Sequence, residues 1–206
     1  MKPTRIIIPL LPAMLLAATA PPSAAQADAP AAESRVWFTG TSNIRHFTCR
    51  AGDVYAALEL APGRDVQALL AGDSVPAAVT LRVPVAKLNC GIPLQNRHLR
   101  HTLHGDEHPS VEFTLDGYRL VPGDSASRLR MLGRLAVAGV ERPVELTGTL
   151  VRGPAGTVRL RGAQEIRVTD FGVKPPTRFG GLLRVRDRVT VHFDVVIPQP
   201  ADVRVP

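Results

Sequence analysis

Four histidines lie close together in the stretch "LQNRHLRHTLHGDEHPSVEF", at His98, His101, His104 and His108. Imidazole is a common zinc ligand, and a zinc site needs three or four donors that converge within about 2 Å of the metal. The same stretch also has the pattern of a short helix that ends at a glycine and leads into a strand. The first interpretation indicates a metal-dependent enzyme, and the second indicates a structural segment.

The spacing of these histidines argues against a metal site. Histidines that recur every three residues drift around a helix, so that three imidazoles do not share one face. The carboxylates that could complete a ligand set, Asp106 and Glu107, come just after Gly105 in a predicted turn. The His-Glu-x-x-His pattern of zinc proteases is absent. We expect no metal here and keep a metal-dependent exported enzyme using the His98–His108 cluster as the alternative hypothesis.

Other catalytic motifs are missing from the sequence. There is no Gly-x-Ser-x-Gly turn for a serine nucleophile, no Cys-x-x-Cys, no Cys-x-x-Cys-His for haem attachment and no glycine-rich phosphate loop. Asp170, Phe171 and Gly172 form the triplet found in protein kinases, but the accompanying kinase motifs are absent. We predict that the protein is not an enzyme and has no catalytic cofactor.

The N-terminus has the pattern of a secretory signal peptide. Lys2 and Arg5 precede the apolar stretch "IIIPLLPAMLLAATA", and small residues follow it. A retained membrane anchor is less favoured, because the stretch is shorter than the ~20 residues that a spanning helix needs and contains two prolines. No cysteine stands directly after the apolar stretch, where a lipoprotein would need one, which excludes a lipid-anchored lipoprotein. We predict a cleaved signal peptide at residues 1–27 and a mature protein in the periplasm or secreted.

The chain is basic, which bears on its partners. Its formal net charge is +7, and removal of Lys2 and Arg5 lowers it to +5. Much of the excess is Arg that alternates with apolar residues in "LRMLGRLAV", "VRLRG" and "LLRVRDRVTV", as on the solvent-facing side of strands. Aromatic residues are only 4% of the chain, too few for base-stacking platforms, so we exclude a nucleic-acid partner. An anionic lipid or phosphate head group fits the charge better.

Two cysteines, Cys49 and Cys90, are present in this exported chain. An even number of cysteines in an oxidising compartment favours a disulfide. The loop that it closes, of about 41 residues, corresponds to a stabilisation on the order of 4 kcal/mol. The rival hypothesis makes Cys49 a nucleophile with His46 as its base, but residues three apart on a strand point to opposite faces.

Most of the chain alternates apolar and polar residues, the pattern of half-buried strands. The apolar positions of five such stretches are Val79, Leu81, Val83 and Val85; Val111, Phe113 and Leu115; Leu129, Met131, Leu135 and Val137; Val144, Leu146 and Leu150; and Val189, Val191, Phe193, Val195 and Ile197. Turn residues separate the stretches in "VPGDSAS", "GVERP" and "RGPAGT". Many short strands divided by Gly and Pro predict an antiparallel sandwich or barrel.

Two segments have helical rather than strand spacing. The first, "GRDVQALLAGD", could form a short helix. The second predicts a helix at residues 94–104, with Leu94, Leu99 and Leu103 at roughly helical spacing and Gly105 just after its last turn.

Four stretches, in order, resemble the YceI-like domain family. The opening "FTGTSNIRHFTC" is similar to the family's first strand and its Ser/Asn-x-x-His-x-Phe/Trp corner. "HLRHTLHGDEHPSVEF" resembles the family's helix-to-strand segment, in which His98 matches the usual histidine. "LGRLAVAGVERPVEL" is similar to its central strand pair, and "GAQEIRVTDFGV" with "VRDRVTVHFDVVI" to its last block. The resemblance covers residues 36–197, and the pairing of "FTC" with "LNCG" supports the Cys49–Cys90 bridge.

The resemblance implies an all-β fold: an eight-stranded antiparallel lipocalin-like barrel with one short helix between strands. It also implies an exported bacterial protein that holds a polyisoprenoid or similar amphiphilic lipid in the barrel, without catalytic activity. Eight strands enclose an interior that can hold one small elongated ligand. The barrel domain is expected at residues 35–198, between a disordered linker at residues 28–34 and a C-terminal tail at residues 199–206.

The lipid-binding hypothesis predicts both an apolar lining and a cationic rim. The expected lining residues are Val83, Val111, Phe113, Leu115, Met131, Leu135, Val137, Leu146, Val191 and Phe193. The expected head-group cations are Lys174 and Arg178 in the loop "FGVKPPTRFGG" and Arg97 and Arg100 on the predicted helix. The predicted partner is an amphiphilic lipid, an isoprenoid or a fatty lipid, with a membrane surface or a membrane enzyme as a further partner. The oligomeric state is expected to be a monomer or a homodimer, and the role lipid transport, storage or stress protection in the envelope.

Overall fold

The computed structural model describes the chain from the end of the predicted linker to the last strand, namely residues 31, 33–61, 77–123, 126–152, 157–178, 180 and 182–197. The predicted signal peptide, the predicted helix in "GRDVQALLAGD" and the predicted C-terminal tail lie outside the described residues. None of the helices in the described residues is long and apolar enough to cross a membrane.

Antiparallel strands make up most of the described chain. They are β1 (Arg35–Ser42), β2 (His46–Ala51), β3 (Tyr55–Leu60), β4 (Ala77–Pro84), β5 (Leu88–Asn89), β6 (Ser110–Val121), β7 (Ala126–Val137), β8 (Val140–Arg152), β9 (Val158–Arg167), β10 (Thr177–Arg178) and β11 (Leu183–Ile197). One α-helix, α1 (Pro93–Thr102), connects β5 to β6, and 3-10 turns lie at Val85–Lys87 and Val168–Phe171. The predicted helix at residues 94–104 is thus present, but it begins one residue earlier, at Pro93, and ends two residues earlier, at Thr102.

The strands form one curved sheet in the order β3-β4-β6-β7-β8-β9-β11-β1-β2-β5, with β10 paired to β11. The sheet curves so far that the segment before β1 reaches its β3 edge, since the Ala31 N–H, just before β1, donates to the Val54 carbonyl, just before β3, at 2.7 Å. The result is an antiparallel half-barrel of the lipocalin-like class, so the predicted all-β fold is confirmed. The predicted count of eight strands is wrong, because the continuous order holds ten.

Two local features raise the strand count. The opening stretch, expected as one strand with a corner, folds as the hairpin β1–β2, where the Ser42 N–H donates to the Arg45 carbonyl at 2.8 Å and Ser42 Oγ accepts the N–H groups of Ile44 and Arg45. Such side-chain acceptors favour a tight turn over a continued strand. Pro84, which has no N–H to donate, ends β4, and the 3-10 turn after it separates the short β5.

A bulge in β6 changes which side chains face inward. Leu115 pairs with Gly133, but Gly117 pairs with Leu132, so that Asp116 is an extra residue in the ladder. A bulged residue shifts the alternation by one. As a result Tyr118 follows Leu115 on the inner face, although the two residues are three positions apart.

The buried residues form two clusters along the barrel. One lies inside the sheet around Phe113, Met131 and Phe193. The other lies at the α1 end, where Val85 and Leu103 pack with the residues of the second 3-10 turn and those after it. The two clusters share partly buried neighbours, so they form one apolar interior that runs along the barrel.

The residues just before β1 are packed on the barrel. The Glu33 carboxylate lies 3.1 Å from the Arg159 guanidinium, and Ser34 Oγ accepts the Val196 N–H at 3.0 Å. The linker predicted at residues 28–34 therefore ends in residues that contact the sheet. The reason is that Arg159 and the β11 backbone offer partners to these polar groups, which composition alone does not reveal.

Candidate functional site

The inner face of the sheet encloses a cavity of about 180 Å³ with almost wholly apolar walls. Nine of the ten predicted lining residues border it: Val83, Val111, Phe113, Leu115, Met131, Leu135, Leu146, Val191 and Phe193. The tenth, Val137, borders a second cavity instead. They meet there because strand side chains alternate, so one face of every long strand points inward. Their contact with a ligand remains a prediction.

The cavity also has walls that the sequence analysis missed. Tyr118 lines it because of the β6 bulge, which the sequence pattern does not show. Gln164 of β9 is the other polar residue in the lining. Ala56 and Ala57 of β3 contribute small side chains, which leave space in place of a filled core. The amino-acid composition does not reveal that these residues line the cavity.

Glycines let aromatic rings lie flat against the cavity wall. A Cβ at Gly162 would overlap the Phe193 ring, with Cε2 at 2.7 Å, and a Cβ at Gly133 would lie 2.6 Å from Phe113 Cε2. Real Cβ contacts are never this close, so only glycine permits these ring positions. The Phe113 and Phe193 rings thus pack closely against the neighbouring strands at these glycines.

A second cavity, of about 450 Å³, lies between α1, the β1–β2 turn and the start of β11. Its lining is also mostly apolar and includes Phe47, Leu99 and Pro176. Val111 and Ile166 border both cavities, so these two side chains form a shared wall. The barrel therefore has a deep inner chamber and a wider chamber at one end, and the linings of the two chambers have these two aliphatic residues in common.

The disulfide positions α1 over the outer chamber. Cys49 of β2 is bonded to Cys90, and their Cα atoms are 4.0 Å apart, so the predicted bridge is present. Asn96, in the second turn of α1, accepts the Cys90 N–H through Oδ1 at 2.7 Å. Pro93 occupies the first turn, where its missing N–H costs nothing. The start of α1 is thus held by a covalent bond and a side-chain hydrogen bond next to it.

The predicted head-group cations lie in two segments that border the outer chamber, namely α1 and the stretch that leads into β11. Lys174 and Arg97 are exposed, Arg100 is partly buried, and Arg178 contributes backbone to β10. Lys174 directly precedes two prolines that line the chamber. Arg97, Arg100 and Lys174 are not among the residues that line the chamber, and the side chain of Arg178 lies outside the described part of the structure.

Two other arginines border the outer chamber, and the sequence analysis missed both. They are Arg45 of the β1–β2 turn and Arg186 of β11. The adjacent Asp187 turns away, because its carboxylate accepts the Thr169 N–H and hydroxyl, both at 2.9 Å. These hydrogen bonds, with the nearby charges of Arg167 and Arg188, outweigh burial and lower the pKa of Asp187. No acidic residue is present in the described lining of this chamber.

The four histidines point to different surroundings. His98 lines the outer chamber, His101 and His104 are exposed, and His108 packs against Gly139 in the β7–β8 turn. His104, with φ of 52°, takes the left-handed position after α1 that was predicted for Gly105. Gly105 is needed for a different reason, since a Cβ there would lie 2.9 Å from Val85 Cγ1.

Metal ligation needs three or four convergent donors, and the histidine stretch does not supply them. In the part of the chain that the structure describes, no group of three or more His, Cys, Asp or Glu side chains could hold a metal ion. The stretch instead contributes a chamber wall, a helix end and a turn contact.

The fold and the two chambers define a lipocalin-like all-β protein with an apolar interior and a helix over one end. Comparison with known proteins extends this result. The sequence profile of the YceI-like domain matches residues 28–197. The chain belongs to the YceI-like domain family, as its motifs indicated. No curated protein is significantly similar to this sequence.

Solved structures with the same fold include three from bacteria. BcnA of Burkholderia cenocepacia has a TM-score of 0.64 and 18% identity, covering 83% of this chain and 100% of that chain. A polyisoprenoid-binding domain from Saccharophagus degradans, implicated in plant cell wall breakdown, has a TM-score of 0.60 and 15% identity, covering 81% and 94%. The YceI protein of Campylobacter jejuni has a TM-score of 0.56 and 17% identity, covering 72% and 82%. At these identities the likeness concerns the fold.

Proposed function

We propose that this chain is an exported, non-catalytic lipid-binding protein that holds the apolar part of a polyisoprenoid or similar amphiphile inside the half-barrel. The observation that carries the proposal is the inner chamber, whose walls are apolar except for Tyr118 and Gln164. Water gains few hydrogen bonds in such a space, whereas a hydrocarbon chain fills it favourably. The Saccharophagus degradans relative, named as a polyisoprenoid-binding domain, supports the same ligand class.

The sizes of the two chambers favour a long ligand that occupies both. An apolar cavity of roughly 150 Å³ admits a molecule the size of benzene, while whole-ligand pockets measure roughly 300–1,000 Å³. The inner chamber, at about 180 Å³, is in the first class, and the outer chamber, at about 450 Å³, is in the second. A chain that passes between Val111 and Ile166 would fill the inner chamber with its tail and the outer chamber with its remaining length.

The polar end of the ligand is then expected at the outer chamber. Arg45 and Arg186 border this chamber, and Lys174 lies in the adjoining loop. A diphosphate or carboxylate placed there is attracted to these cations, whereas the inner chamber offers no charge. With the predicted export, this arrangement supports lipid transport or storage in the cell envelope.

The test fills the inner chamber and measures the lipid that copurifies. Leu146→Trp places a larger ring in the lining, and we expect at least a tenfold loss of bound lipid, measured by native mass spectrometry of protein purified from its own host. The matched control is Leu132→Trp, because Leu132 lies on the outer face of the neighbouring strand and is 52% exposed. That variant should keep its lipid.

The two variants separate ligand loss from misfolding. Circular dichroism should show the same strand content in both proteins, because one Trp lies in an open chamber and the other on the surface. Wild-type protein that carries no lipid from its own host, or equal lipid in both variants, would contradict lipid binding in the inner chamber.

A further inference from the structure

The rim of the outer chamber concentrates the exposed apolar side chains of this protein. Six large apolar residues are exposed in the described part of the chain, and four of them, Ile44, Ile92, Leu94 and Leu182, lie at this end. Ile92 and Leu94 line the chamber through α1, while Ile44 and Leu182 are the direct neighbours of the lining residues Arg45 and Leu183. An exposed apolar cluster of this kind marks a surface that contacts another apolar body.

The two most exposed residues of this cluster are held side by side. Asn43 Nδ2 donates to the Leu182 carbonyl at 2.7 Å, and the Arg184 N–H donates back to Asn43 Oδ1 at 2.8 Å. These bonds join the β1–β2 turn to the start of β11. Ile44 is 66% exposed and Leu182 is 73% exposed, so this joined tip presents two aliphatic side chains to the surroundings.

The segments that carry the cluster are strongly basic. Residues 42–47, 90–104 and 172–186 together contain seven Lys or Arg and no Asp or Glu, although the whole chain has 18 acidic residues. Exposed aliphatic side chains on segments whose charged residues are all cationic match an anionic bilayer, whose head groups attract cations and whose acyl region accepts apolar side chains. An acidic protein surface would attract these cations, but it has no acyl region into which the exposed aliphatic side chains could insert.

We propose that the rim formed by Ile44, Ile92, Leu94 and Leu182 docks the protein on an anionic membrane surface, with the mouth of the outer chamber facing the bilayer. In one respect the proposal rests on the proposed function: docking in this orientation gives a bound amphiphile a direct path between the bilayer and the outer chamber. In this orientation Arg45, which follows Ile44, and Lys174, which precedes the lining residue Pro175, would face the lipid head groups, with α1 on the bilayer side of the chamber.

The test measures cosedimentation of the purified protein with vesicles of one part phosphatidylglycerol to two parts phosphatidylcholine. Wild-type protein should bind these vesicles, bind phosphatidylcholine vesicles at least tenfold more weakly, and dissociate as salt is added. Ile44→Glu with Leu182→Glu should lower the affinity at least tenfold, since both tips become charged. Arg45→Glu with Lys174→Glu should do the same by reversing two charges.

The matched control moves the same change to another part of the surface. Val121→Glu with Leu132→Glu alters the two exposed apolar residues that lie outside the rim, and binding should stay within twofold of the wild type. Equal binding by the rim variants and the wild type, or an equal loss in the control, would overturn the proposal. A wild-type dimer that the Ile44→Glu, Leu182→Glu pair dissociates, without vesicle binding, would assign the rim to a second copy of the chain.

The outcome is separable from that of the lipid-binding test. Wild-type protein that copurifies with lipid but does not bind the anionic vesicles overturns docking alone. Vesicle binding without any copurified lipid overturns the interior ligand alone, because the rim residues are distinct from the inner chamber.

Discussion

At the scale of single residues, the open space of the inner chamber depends on the glycines that lie next to aromatic rings. Gly162 of β9 faces the Phe193 ring of β11. A Cβ atom added at Gly162 would also lie 2.5 Å from the Thr147 carbonyl oxygen. Neither neighbour can yield easily, because one is a buried ring and the other is sheet backbone. The position of the Phe193 ring therefore depends on the absence of a Cβ atom at Gly162.

We predict that Gly162→Ala lowers the free energy of unfolding by about 1–3 kcal/mol, the usual effect of overpacking. The displaced Phe193 ring should also enter the chamber and reduce bound lipid. Urea unfolding and the lipid content of the purified protein measure the two effects. Gly117→Ala is the control, since a Cβ at Gly117 meets nothing within 4 Å. Equal stability of the two variants would show that the sheet adjusts around the added methyl group.

At the scale of elements, α1 is held at its first turns by bonds to its neighbours, since the residue before it, Ile92, provides no side-chain cap. The Cys49–Cys90 bridge joins the segment before α1 to β2, and Asn96 bonds the Cys90 N–H. The last turn packs Leu103 into the cluster below. The bridge therefore acts on the wall of the outer chamber as well as on the stability of the fold.

Removal of the bridge should loosen α1 and destabilise the protein. Cys49→Ala with Cys90→Ala should lower the free energy of unfolding by about 4 kcal/mol, which follows from loop closure over 41 residues. Thermal unfolding measures this loss, and hydrogen exchange should quicken in α1 more than in β7 and β8. Reductant should lower the Tm of the wild type but not that of the double variant. Unchanged exchange in α1 after reduction would contradict its anchoring by the bridge.

At the scale of the whole molecule, one buried carboxylate joins three strands. Asp194 of β11 has a side chain that is only 12% exposed, and it accepts a hydrogen bond from Arg159 Nε at 2.9 Å. Arg161 and Arg35 lie 3.3 and 3.6 Å from its other oxygen. Burial by itself raises the pKa of Asp194, but the Arg159 hydrogen bond and the charges of Arg159 and Arg161 outweigh it and lower the pKa.

This lowered pKa predicts how stability depends on acid. The folded pKa lies below the ordinary value of 3.8, so ionised Asp194 stabilises the fold above pH 3.8 and loses this effect as pH falls through the lower folded pKa. Asp194→Asn should cost about 2 kcal/mol or more near neutral pH, because Arg159 loses its charged partner. The difference from the wild type should shrink below pH 3.8. Urea unfolding across pH measures it.

The control for this prediction is an exposed ion pair. Glu141 lies 3.4 Å from Arg134, and about half of its side chain is exposed, so Glu141→Gln should change stability by no more than about 0.5 kcal/mol. A difference between Asp194→Asn and the wild type that stays constant from neutral pH to strong acid would contradict the assigned role of Asp194.

Much of the site was predictable where local pattern and tertiary environment agree. Alternation identified nine inner-chamber residues, because a strand that is half buried must place every second side chain inward. Tyr118 was missed because the bulge at Asp116 breaks that alternation, and a bulge depends on how two strands pair. Val137 was placed on the correct face but belongs to the outer chamber, since its position along the barrel depends on the sheet order.

The sequence by itself determined the all-β class, the helix before β6 and the apolar inner faces, because these follow from periodicity and residue type over short stretches. It also indicated the Cys49–Cys90 bridge, because the chain has only these two cysteines. Only the tertiary structure decided the ten-strand order, the two chambers that meet at Val111 and Ile166, and the rim where Ile44 and Leu182 stand together. These features join segments that are far apart in the chain. Their positions depend on strand register and side-chain packing, which alternation within one strand does not specify.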